Sequence, residues 1–410
     1  MKKKLREDAK TIYTQAIEAV LPEQAVLRAL TDFSAQGPVY VFAVGKAAWR
    51  MAGSAARALG DRMTGGVVIT KYGHAQGPIG KLEIYEAGHP VPDENTVAAT
   101  RRAVELARSL TATDTVVFLL SGGGSALFEQ PLIPLGELEE ITKQLLACGA
   151  DIVEMNTVRK RLSAVKGGRF AQLCAPAKIY AVILSDILGD PVDMIASGPC
   201  CADVSTCADA LAVAEKYDLK LSAQARALLR RETPKALDNV HTQVTGSVRE
   251  LCAAARRACE ALGYETKILT DSLSCEARDA GGQLAAIARE HADTKKPRAF
   301  IMGGETVVRL TGTGKGGRNQ ELALAAAKGI DGLENAAVFS VGSDGTDGPT
   351  DAAGGYVDGA TAAQLREKGI DIDAVLANND AYPALKAVDS LIMTGPTGTN
   401  VNDFAALLLR

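Results

Sequence analysis

The sequence predicts an α/β protein with two three-layer α/β domains, each built on a mainly parallel sheet. Short β-branched segments alternate with alanine-rich helical segments along the chain, which is the pattern of βαβ units. Most strand segments are apolar on both faces, which indicates that helices cover each sheet on both sides. The chain has 410 residues, more than one hydrophobic core usually supports, so two domains are expected.

Each predicted strand is a short apolar run rich in β-branched or aromatic residues, and turn-forming residues bound most of them. In chain order the strands are PVYVFAVG, GGVVIT, TVVFLL, KIYAVILS, YETKILT, RAFIMGG, ETVVRL, AAVFSVG and SLIMTG. The helical segments between them have alanine-rich sequences. They are Lys46–Leu59, Asn95–Leu110, Asn156–Leu173, Ser247–Leu262 and Asn319–Lys328. Ligands of such sheets bind where a strand's carboxyl end leads into a helix, so the turns VGKAA, LSGGGSAL, LSDILGDP and VGSDGTDGP are candidate site segments.

A polar segment with one proline, RRETPKALDNVHTQ, separates two series of strands and helices. We therefore predict an N-terminal Rossmann-like domain at residues 1–236 and a C-terminal α/β domain at residues 237–410.

Composition limits the classes of function. The net charge of −4 provides no basic surface for nucleic acid, so small molecules are the expected partners. The eight cysteines are scattered and form no C-x-x-C pair, which favours free thiols in a reducing compartment. The N-terminal segment has no continuous apolar stretch typical of a signal peptide, and no apolar run reaches the length of a membrane span. We expect a cytoplasmic protein without a membrane segment.

The stretch GTGKGGRNQE contains the spacing G-x-G-x-x-G of a dinucleotide-binding loop. Such a fold also needs an acidic residue at the end of the next strand, and Asp331 lies in a turn before that strand begins. The loop instead combines Lys315 and Arg318 with glycines at a predicted helix start, which favours an anion. The alternative is an exposed loop whose charges are solvated.

The stretch LSGGGSAL is a second candidate phosphate loop. Its three glycines allow the backbone to approach a phosphate, and Ser121 and Ser125 add hydroxyl donors. It lacks the Gly-Lys-Ser/Thr of a Walker A motif and the G-x-S-x-G of a hydrolase. Lys46 follows the strand PVYVFAVG, and its compact charge suits a phosphoryl group in transfer. A merely structural lysine is disfavoured there, because the positive end of the helix dipole repels it.

Two acidic turns supply the opposite charge: LSDILGDPVD, with Asp186, Asp190 and Asp193, and VGSDGTDGPTD, with Asp344, Asp347 and Asp351. Carboxylates on glycine-rich turns suit Mg²⁺, which takes one or two of them together with phosphate oxygens and water. The alternative is that Asp-Gly and Asp-Pro form turns without a ligand.

The segment MNTVRKRLSAVKGGRFA places Asn156, Lys160, Ser163 and Gly167 on one face of a predicted helix. This basic stripe binds a substrate carboxylate or a nucleotide phosphate, or it is a solvated face. For His89, in AGHPVPDE, packing or capping is the expected role.

Several of these segments together resemble the glycerate 2-kinase family, whose C-terminal part is called the MOFRL domain. The resemblance runs from Val44 to Phe404 through VGKAA, GHPVPDE, LSGGGSAL, MNTVRKRLSAVKGGR, LSDILGDPVDMIASGP, GGET, GKGGRNQELAL, SDGTDGPTDAAG and TGPTGTNVNDF. It implies phosphorylation of glycerate at the 2-hydroxyl with ATP and a divalent cation, in a cleft between two α/β domains. The sequence departs from the family at Ala381 and Pro383, where a serine and a bulkier aromatic are expected, and at Lys315, where arginine is frequent.

The resemblance and the residues together give one predicted site. The predicted catalytic residues are Lys46 and Arg318, which would neutralise the transferring phosphoryl group, and Asp186, which would orient the hydroxyl or take its proton. Nucleotide or phosphate binding is predicted for Ser121, Gly122, Gly123, Gly124, Ser125, Lys160, Gly314, Lys315, Gly317 and Asn319. Mg²⁺ is assigned to Asp344 with Asp347 or Asp190.

Two other functions are compatible with parts of the sequence. The resemblance also implies an NAD(P)H-dependent hydroxypyruvate reductase as the alternative, because members of the family have been labelled so. A non-catalytic sensor would bind ATP or glycerate without turnover. Neither accounts for cations on glycine loops combined with paired aspartate turns, which are the parts needed for phosphoryl transfer. A homodimer is a further expectation.

Overall fold

The computed structural model describes residues 2–410, which form two six-stranded sheets with helices on both faces. The predicted α/β class is confirmed. The chain divides into two compact units. The first unit comprises Ala25–Ser185 and Asp190–Thr245; the second comprises the residues up to Gln24, Asp186–Gly189 and Gly246–Arg410. Two continuous domains, 1–236 and 237–410, stay a prediction.

The sheet of the first unit follows the chain through β1 (Val39–Val44), β2 (Met63–Lys71), β3 (Leu82–Ala87), β4 (Thr115–Leu120), β5 (Lys178–Leu184) and β6 (Val240–Gly246). Its strand order is β3-β2-β1-β4-β5-β6, and the neighbours from β3 through β5 are parallel. Val44 pairs with Leu120, and Leu120 pairs with Ile183. The carboxyl ends of β1, β4 and β5 therefore lie side by side. The segments that follow these three strands leave the sheet at the same edge.

Two helices of the first unit begin directly after an aspartate whose side chain caps the helix. Asp93 caps the helix Glu94–Arg108 and Asp151 caps the helix Ile152–Leu162, each accepting the backbone N–H three residues ahead. The helices from Pro22 to the end of this unit are Pro22–Ala29, Ala48–Leu59, Glu94–Arg108, Gly124–Leu127, Leu135–Ala147, Ile152–Leu162, Arg169–Cys174, Cys207–Lys216 and Ala223–Leu229, with short 3₁₀ turns at Gly60–Arg62 and Ile195–Ser197.

The sheet of the second unit contains β7 (Glu265–Leu273), β8 (Arg298–Gly304), β9 (Ala336–Gly342), β10 (Gly354–Asp358), β11 (Leu391–Ile392) and β12 (Asp403–Leu409). The strand order is β11-β10-β9-β12-β8-β7. β7, β8, β9 and β11 share one direction, whereas β12 and β10 run antiparallel to their neighbours. Four of its six strands therefore point in one direction, and β7 and β8 are its parallel pair.

Alternate residues of β9 and β12 enter separate cores on the two faces of this sheet. Phe339 and Phe404 pack with the helices Lys2–Ala19 and Val248–Ala261. Val338 and Leu407 pack with helices on the opposite face. The helices of the second unit are Lys2–Ala19, Val248–Ala261, Ala277–Glu290, Arg318–Gly329, Thr361–Glu367, Ile372–Ala377 and Ala381–Ala387. Within residues 2–410, no helix is both long and apolar enough to cross a bilayer.

Two predicted elements differ from the structure. The segment ETVVRL is not a strand: Val307 forms a single bridge to Glu276, and Leu310 is 80% exposed. The predicted helix Asn156–Leu173 ends at Leu162 and a new helix begins at Arg169. The first helix ends because Ser163 is extended, with φ −114° and ψ 143°, and Gly167 and Gly168 adopt positive φ angles just before the next helix begins.

Candidate active site

Lys46 lies two residues beyond β1, at the edge where the parallel strands of the first sheet end. Its backbone holds it there: the N–H donates to the Gly122 carbonyl at 2.9 Å, and its carbonyl lies 2.9 Å from Nδ1 of His74. The residue is half-buried. Burial, followed by the charge of Lys46, lowers the pKa of the neighbouring His89. The ammonium of Lys46 thus stands beside an imidazole that stays neutral more readily than usual.

The glycine segment after β4 lies directly beside Lys46. Gly123 has φ 86°, and a Cβ there would come within 3.2 Å of the Lys46 side chain and 3.0 Å of the His89 ring. Gly124 packs instead, since a Cβ would be 2.7 Å from Cβ of Ala196. The predicted loop residues Gly122 and Gly123 therefore border the space at Lys46, whereas Gly124 serves close packing.

The two serines of this segment make internal hydrogen bonds. Oγ of Ser121 accepts from the N–H of Ala47 at 3.1 Å, which joins the ends of β4 and β1. Oγ of Ser125 lies 3.5 Å from Oγ of Ser197, and its carbonyl accepts from Lys166 and Arg159. In this structure both serines position the loop; phosphate binding by their hydroxyls stays a prediction.

The structure places Lys160 inside the first unit. Its side chain is 2% exposed, and its ammonium lies 3.1 Å from Asp203 and 3.3 Å from Asp193. Asn156, on the same helix, accepts from Ser197 at 2.8 Å. The stripe is therefore not a solvated face: it holds the segment that follows the first acidic turn. Lys160 is committed to two carboxylates here, and its predicted phosphate contact is untested.

The first acidic turn follows β5. Asp186 is half-buried and comes two residues after the last residue of that strand, Leu184. Asp190 has φ 53°, a left-handed conformation that is costly for a residue with a side chain, and its Oδ1 is buried without a hydrogen-bond partner. A buried oxygen without a donor suits a cation.

In the second unit the glycine loop lies along residues 378–382. Oδ1 of Asn379 accepts from the N–H of Thr311 and Gly312, and the N–H of Gly314 donates to the Asn378 carbonyl at 2.9 Å. A Cβ at Gly314 would be 2.5 Å from that carbonyl oxygen. The glycines are thus required by close backbone approach, which gives the segment NNDAYPAL a supporting role.

Lys315 is exposed, with its ammonium 4.7 Å from the ring centre of Tyr382. This cation–π contact holds the charge at the loop surface while it remains accessible to an anion.

Arg318 begins the helix Arg318–Gly329 and lies among three carboxylates. Nε and Nη2 donate to Asp403 at 2.5 and 3.2 Å, and Nη1 donates to Glu305 at 2.8 Å. Burial alone would lower the pKa of Arg318, but the hydrogen bonds and charge of Asp403 raise it above its usual range. The guanidinium is therefore permanently charged, and it is 35% exposed.

Asp347 occupies the N-terminus of the same helix. Oδ1 accepts from the N–H of Asn319 at 3.1 Å, and Oδ2 accepts from the N–H of Gln320 at 2.9 Å. Gly317 allows this approach, since a Cβ there would be 2.3 Å from Oδ1. Asn319, predicted to bind nucleotide, is 2% exposed and accepts from Ser340. Both residues thus position Arg318 in this structure, and their predicted ligand contacts stay predictions.

Asp344 lies two residues beyond β9 and is half-buried. Its Oδ1 accepts the N–H of Thr346 at 2.9 Å. In the part of the chain that the structure describes, no group of three or more His, Cys, Asp or Glu is arranged to hold a metal. Mg²⁺ needs only one or two carboxylates beside phosphate oxygens and water. Both oxygens of Asp347 already accept backbone amides, and the assignment of Asp344, Asp347 and Asp190 to Mg²⁺ stays a prediction.

The titration of Asp347 gives a testable pH effect. Burial raises the pKa of Asp347 to about 7, against the opposing amides of Gln320 and Asn319. Because the folded protein holds this proton more tightly than the unfolded chain, the stabilisation is fully present below pH 4 and is lost as the pH rises through 7. Asp347→Asn, which does not ionise, is expected to gain up to roughly 4 kcal/mol relative to wild type between pH 4 and pH 8.

Urea unfolding without divalent metal, measured from pH 4.5 to pH 8, checks this expectation. Asp373→Asn is the matched control, because Asp373 forms an exposed pair with Lys328. A difference between wild type and Asp347→Asn that does not change with pH would show that Asp347 titrates normally.

Sequence reasoning assigned no role to two of the carboxylates around Arg318. Asp403 is the first residue of β12, and Glu305 follows β8 directly. Both residues lie in segments that carry the family resemblance, TGPTGTNVNDF and GGET. Their position in those segments is the sequence feature that could have identified them as site residues.

Comparison with known proteins shows which family the chain belongs to. Residues 8–230 match the model of a domain of unknown function, DUF4147, and residues 298–403 match the MOFRL family. A D-glycerate 2-kinase of Thermotoga maritima is 53% identical over 405 residues, which cover 97% of each chain. The chain belongs to the glycerate 2-kinase family.

Other members of the glycerate 2-kinase family agree in fold. A crystal structure of a glycerate kinase from Thermotoga maritima superposes with a TM-score of 0.95 and 51% identity, over 100% of both chains. An Agrobacterium vitis relative, 40% identical over 98% of this chain and 94% of its own, has a name that refers to a hydroxypyruvate reductase. Family membership, and with it the prediction of an enzyme of this family, is confirmed.

Proposed function

We propose that the protein transfers the γ-phosphoryl group of ATP to the 2-hydroxyl of glycerate, giving 2-phosphoglycerate, ADP and a proton. The observation that carries the proposal is the setting of Arg318. A charged guanidinium stands on a glycine-bounded helix start, partly exposed, with one nitrogen bonded to the half-exposed Glu305. An anion can replace that carboxylate, and phosphoryl transfer needs such a cation more than it needs covalent chemistry.

Each predicted catalytic residue has one task in this reaction. Lys46 and Arg318 neutralise charge on the equatorial oxygens of the moving phosphoryl group. Asp186 orients the 2-hydroxyl or accepts its proton.

The phosphates of ATP are assigned to the two glycine segments. Gly122 and Gly123 border the space at Lys46, and Lys315 is accessible beside Gly314 and Gly317. Mg²⁺, when bound, would screen the phosphate oxygens, with Asp344 and Asp190 as its protein ligands. The buried, unpartnered oxygen of Asp190 supports this assignment.

Incubation of the purified protein with ATP, Mg²⁺ and each enantiomer of glycerate tests the proposal. ³¹P and ¹³C NMR of the product are expected to show phosphate on carbon 2, with no product when EDTA replaces Mg²⁺. Phosphate on carbon 3 would contradict the 2-hydroxyl assignment. Oxidation of NADH by hydroxypyruvate at a higher kcat/KM than ATP-dependent phosphorylation would favour the reductase instead.

We also propose a cytoplasmic enzyme that forms a homodimer. The cysteines of the described chain are all free thiols, which suits a reducing compartment such as the cytoplasm. Size-exclusion chromatography with light scattering measures the oligomeric state.

A further inference from the structure

The two carboxylates bonded to Arg318 differ in burial. Asp403 is 7% exposed and holds Nε and Nη2 in a fork, whereas the Glu305 side chain is 46% exposed and holds only Nη1. An exposed ion pair is worth little, so Glu305 can turn into solvent at low cost. Removing the buried carboxylate of Asp403 would leave a half-buried guanidinium unpaired on that edge, which destabilises the folded protein.

The backbone fixes Asp403 more firmly than a loop would. As the first residue of β12 it pairs with Gly304 of β8 on one side and with Gly342 of β9 on the other. A Cβ at Gly342 would lie 3.3 Å from Oδ1 of Asp403. The carboxylate therefore sits between two strands where small neighbours leave room for it, and its position follows from the register of the sheet.

Arg318 is held from a second direction through its own helix. Asp347 accepts the N–H groups of Asn319 and Gln320, the second and third residues of the helix Arg318–Gly329, which fixes the helix start. The helix start and the Nε–Nη2 edge of the guanidinium are thus both fixed. Nη1 is the nitrogen of Arg318 that can exchange its partner for a ligand.

We propose that Asp403 is the positioning residue of Arg318: it holds the Nε–Nη2 edge so that Nη1 meets the phosphoryl group, which takes the place of Glu305. This inference rests on the proposed function, because it assumes that Arg318 contacts the transferring group. Asp403 itself touches no reacting atom. Its effect is therefore expected on kcat, and only through Arg318.

A double-mutant cycle tests the proposal. Asp403→Asn keeps the volume but removes the charge and one acceptor, and it is expected to lower kcat about 10²-fold, as a misplacement near 1 Å can. In the Arg318→Ala background the same change is expected to lower kcat less than about threefold, because the residue it positions is absent. KM for ATP and for glycerate should change less than kcat in the wild-type background.

A purely structural role would give a different cycle: Asp403→Asn would then lower kcat by the same factor in both backgrounds, and the proposal would fail. It would also fail if Asp403→Asn retained wild-type kcat. The matched control is Asp373→Asn, in an exposed pair of the same unit. If Asp403→Asn does not fold, Asp403→Glu enters the same cycle, since it keeps the charge and moves it by one methylene.

One measurement does not depend on enzyme activity. It therefore distinguishes failure of the positioning role from failure of the proposed kinase function. The ¹H–¹⁵N signal of Arg318 Nε, identified as the resonance missing in Arg318→Lys, is expected to exchange slowly in wild type and at least tenfold faster in Asp403→Asn. If the wild-type protein does not turn over ATP and glycerate, the proposed function is wrong. If the Nε proton exchanges at the same rate in wild type and in Asp403→Asn, the positioning role of Asp403 is wrong.

Discussion

Lys46→Met and Arg318→Ala are each expected to lower kcat by about 10³ or more, with the fold intact. Transfer of a phosphoryl group depends on neutralising its developing charge, and each variant removes one of the two cations assigned to that task. The structural contacts of Lys46 are made by its backbone, which methionine keeps. Steady-state kinetics with ATP, Mg²⁺ and the active enantiomer of glycerate measure the effect.

Lys143→Met is a matched control for Lys46→Met, because Lys143 is exposed on the helix Leu135–Ala147 of the same unit. Its kcat should equal that of wild type. Circular dichroism and thermal unfolding show whether either active-site variant has lost structure. Wild-type kcat in Lys46→Met or Arg318→Ala would remove that residue from the mechanism.

The strands that the sequence predicted correctly are those whose own side chains prefer a sheet. β1, β4, β5 and β9 are continuous apolar runs rich in valine, isoleucine and phenylalanine, and all lie inside a sheet. The run ETVVRL also contains two adjacent valines but forms no strand, because its backbone pairs only at Glu305 and Val307 and not along its length. Strand formation there depends on a partner that the local sequence does not show.

β12 was missed for the opposite reason. Its sequence, DFAALLL, is rich in alanine and leucine, which favour helices in isolation. The strand forms because it fits between β8 and β9, antiparallel to both. β6 was also missed, since its polar sequence VHTQVTG lies at the edge of the first sheet and read as a linker.

The same limit applies to the candidate site. Lys46 and Arg318 were identifiable because each lies in a glycine-containing segment at a predicted strand or helix boundary. The pairing of Arg318 with Asp403 joins residues 85 positions apart and exists only because β12 is reversed in its sheet. Spacing could place Lys160 on a helix face, but only the packing shows that this face points inward, toward Asp203.

Asp203→Ala is expected to destabilise the first unit by about 3–5 kcal/mol, because it leaves two buried cations without their shared carboxylate. The Lys160 ammonium lies 3.1 Å from Asp203, the Arg161 guanidinium lies 3.7 Å from it, and both basic side chains are nearly inaccessible to solvent. Asp203 also accepts from Thr233 at 2.8 Å. Urea unfolding monitored by circular dichroism at pH 7 measures the loss.

The protonation of Asp203 adds a second signature of the same interaction. Burial alone would raise the pKa of Asp203, but the hydrogen bond from Thr233 and the charge of Lys160 outweigh it and hold the pKa below its usual value. The stabilisation is therefore present above the ordinary aspartate pKa and is lost as the pH falls through the lowered folded value, so acid should narrow the gap between wild type and Asp203→Ala. Asp373→Ala, which breaks an exposed pair with Lys328, should change stability by less than about 1 kcal/mol at either pH. Equal stabilities of Asp203→Ala and Asp373→Ala at pH 7 would mean that Lys160 and Arg161 find other partners, and that the buried carboxylate is not what holds this helix in place.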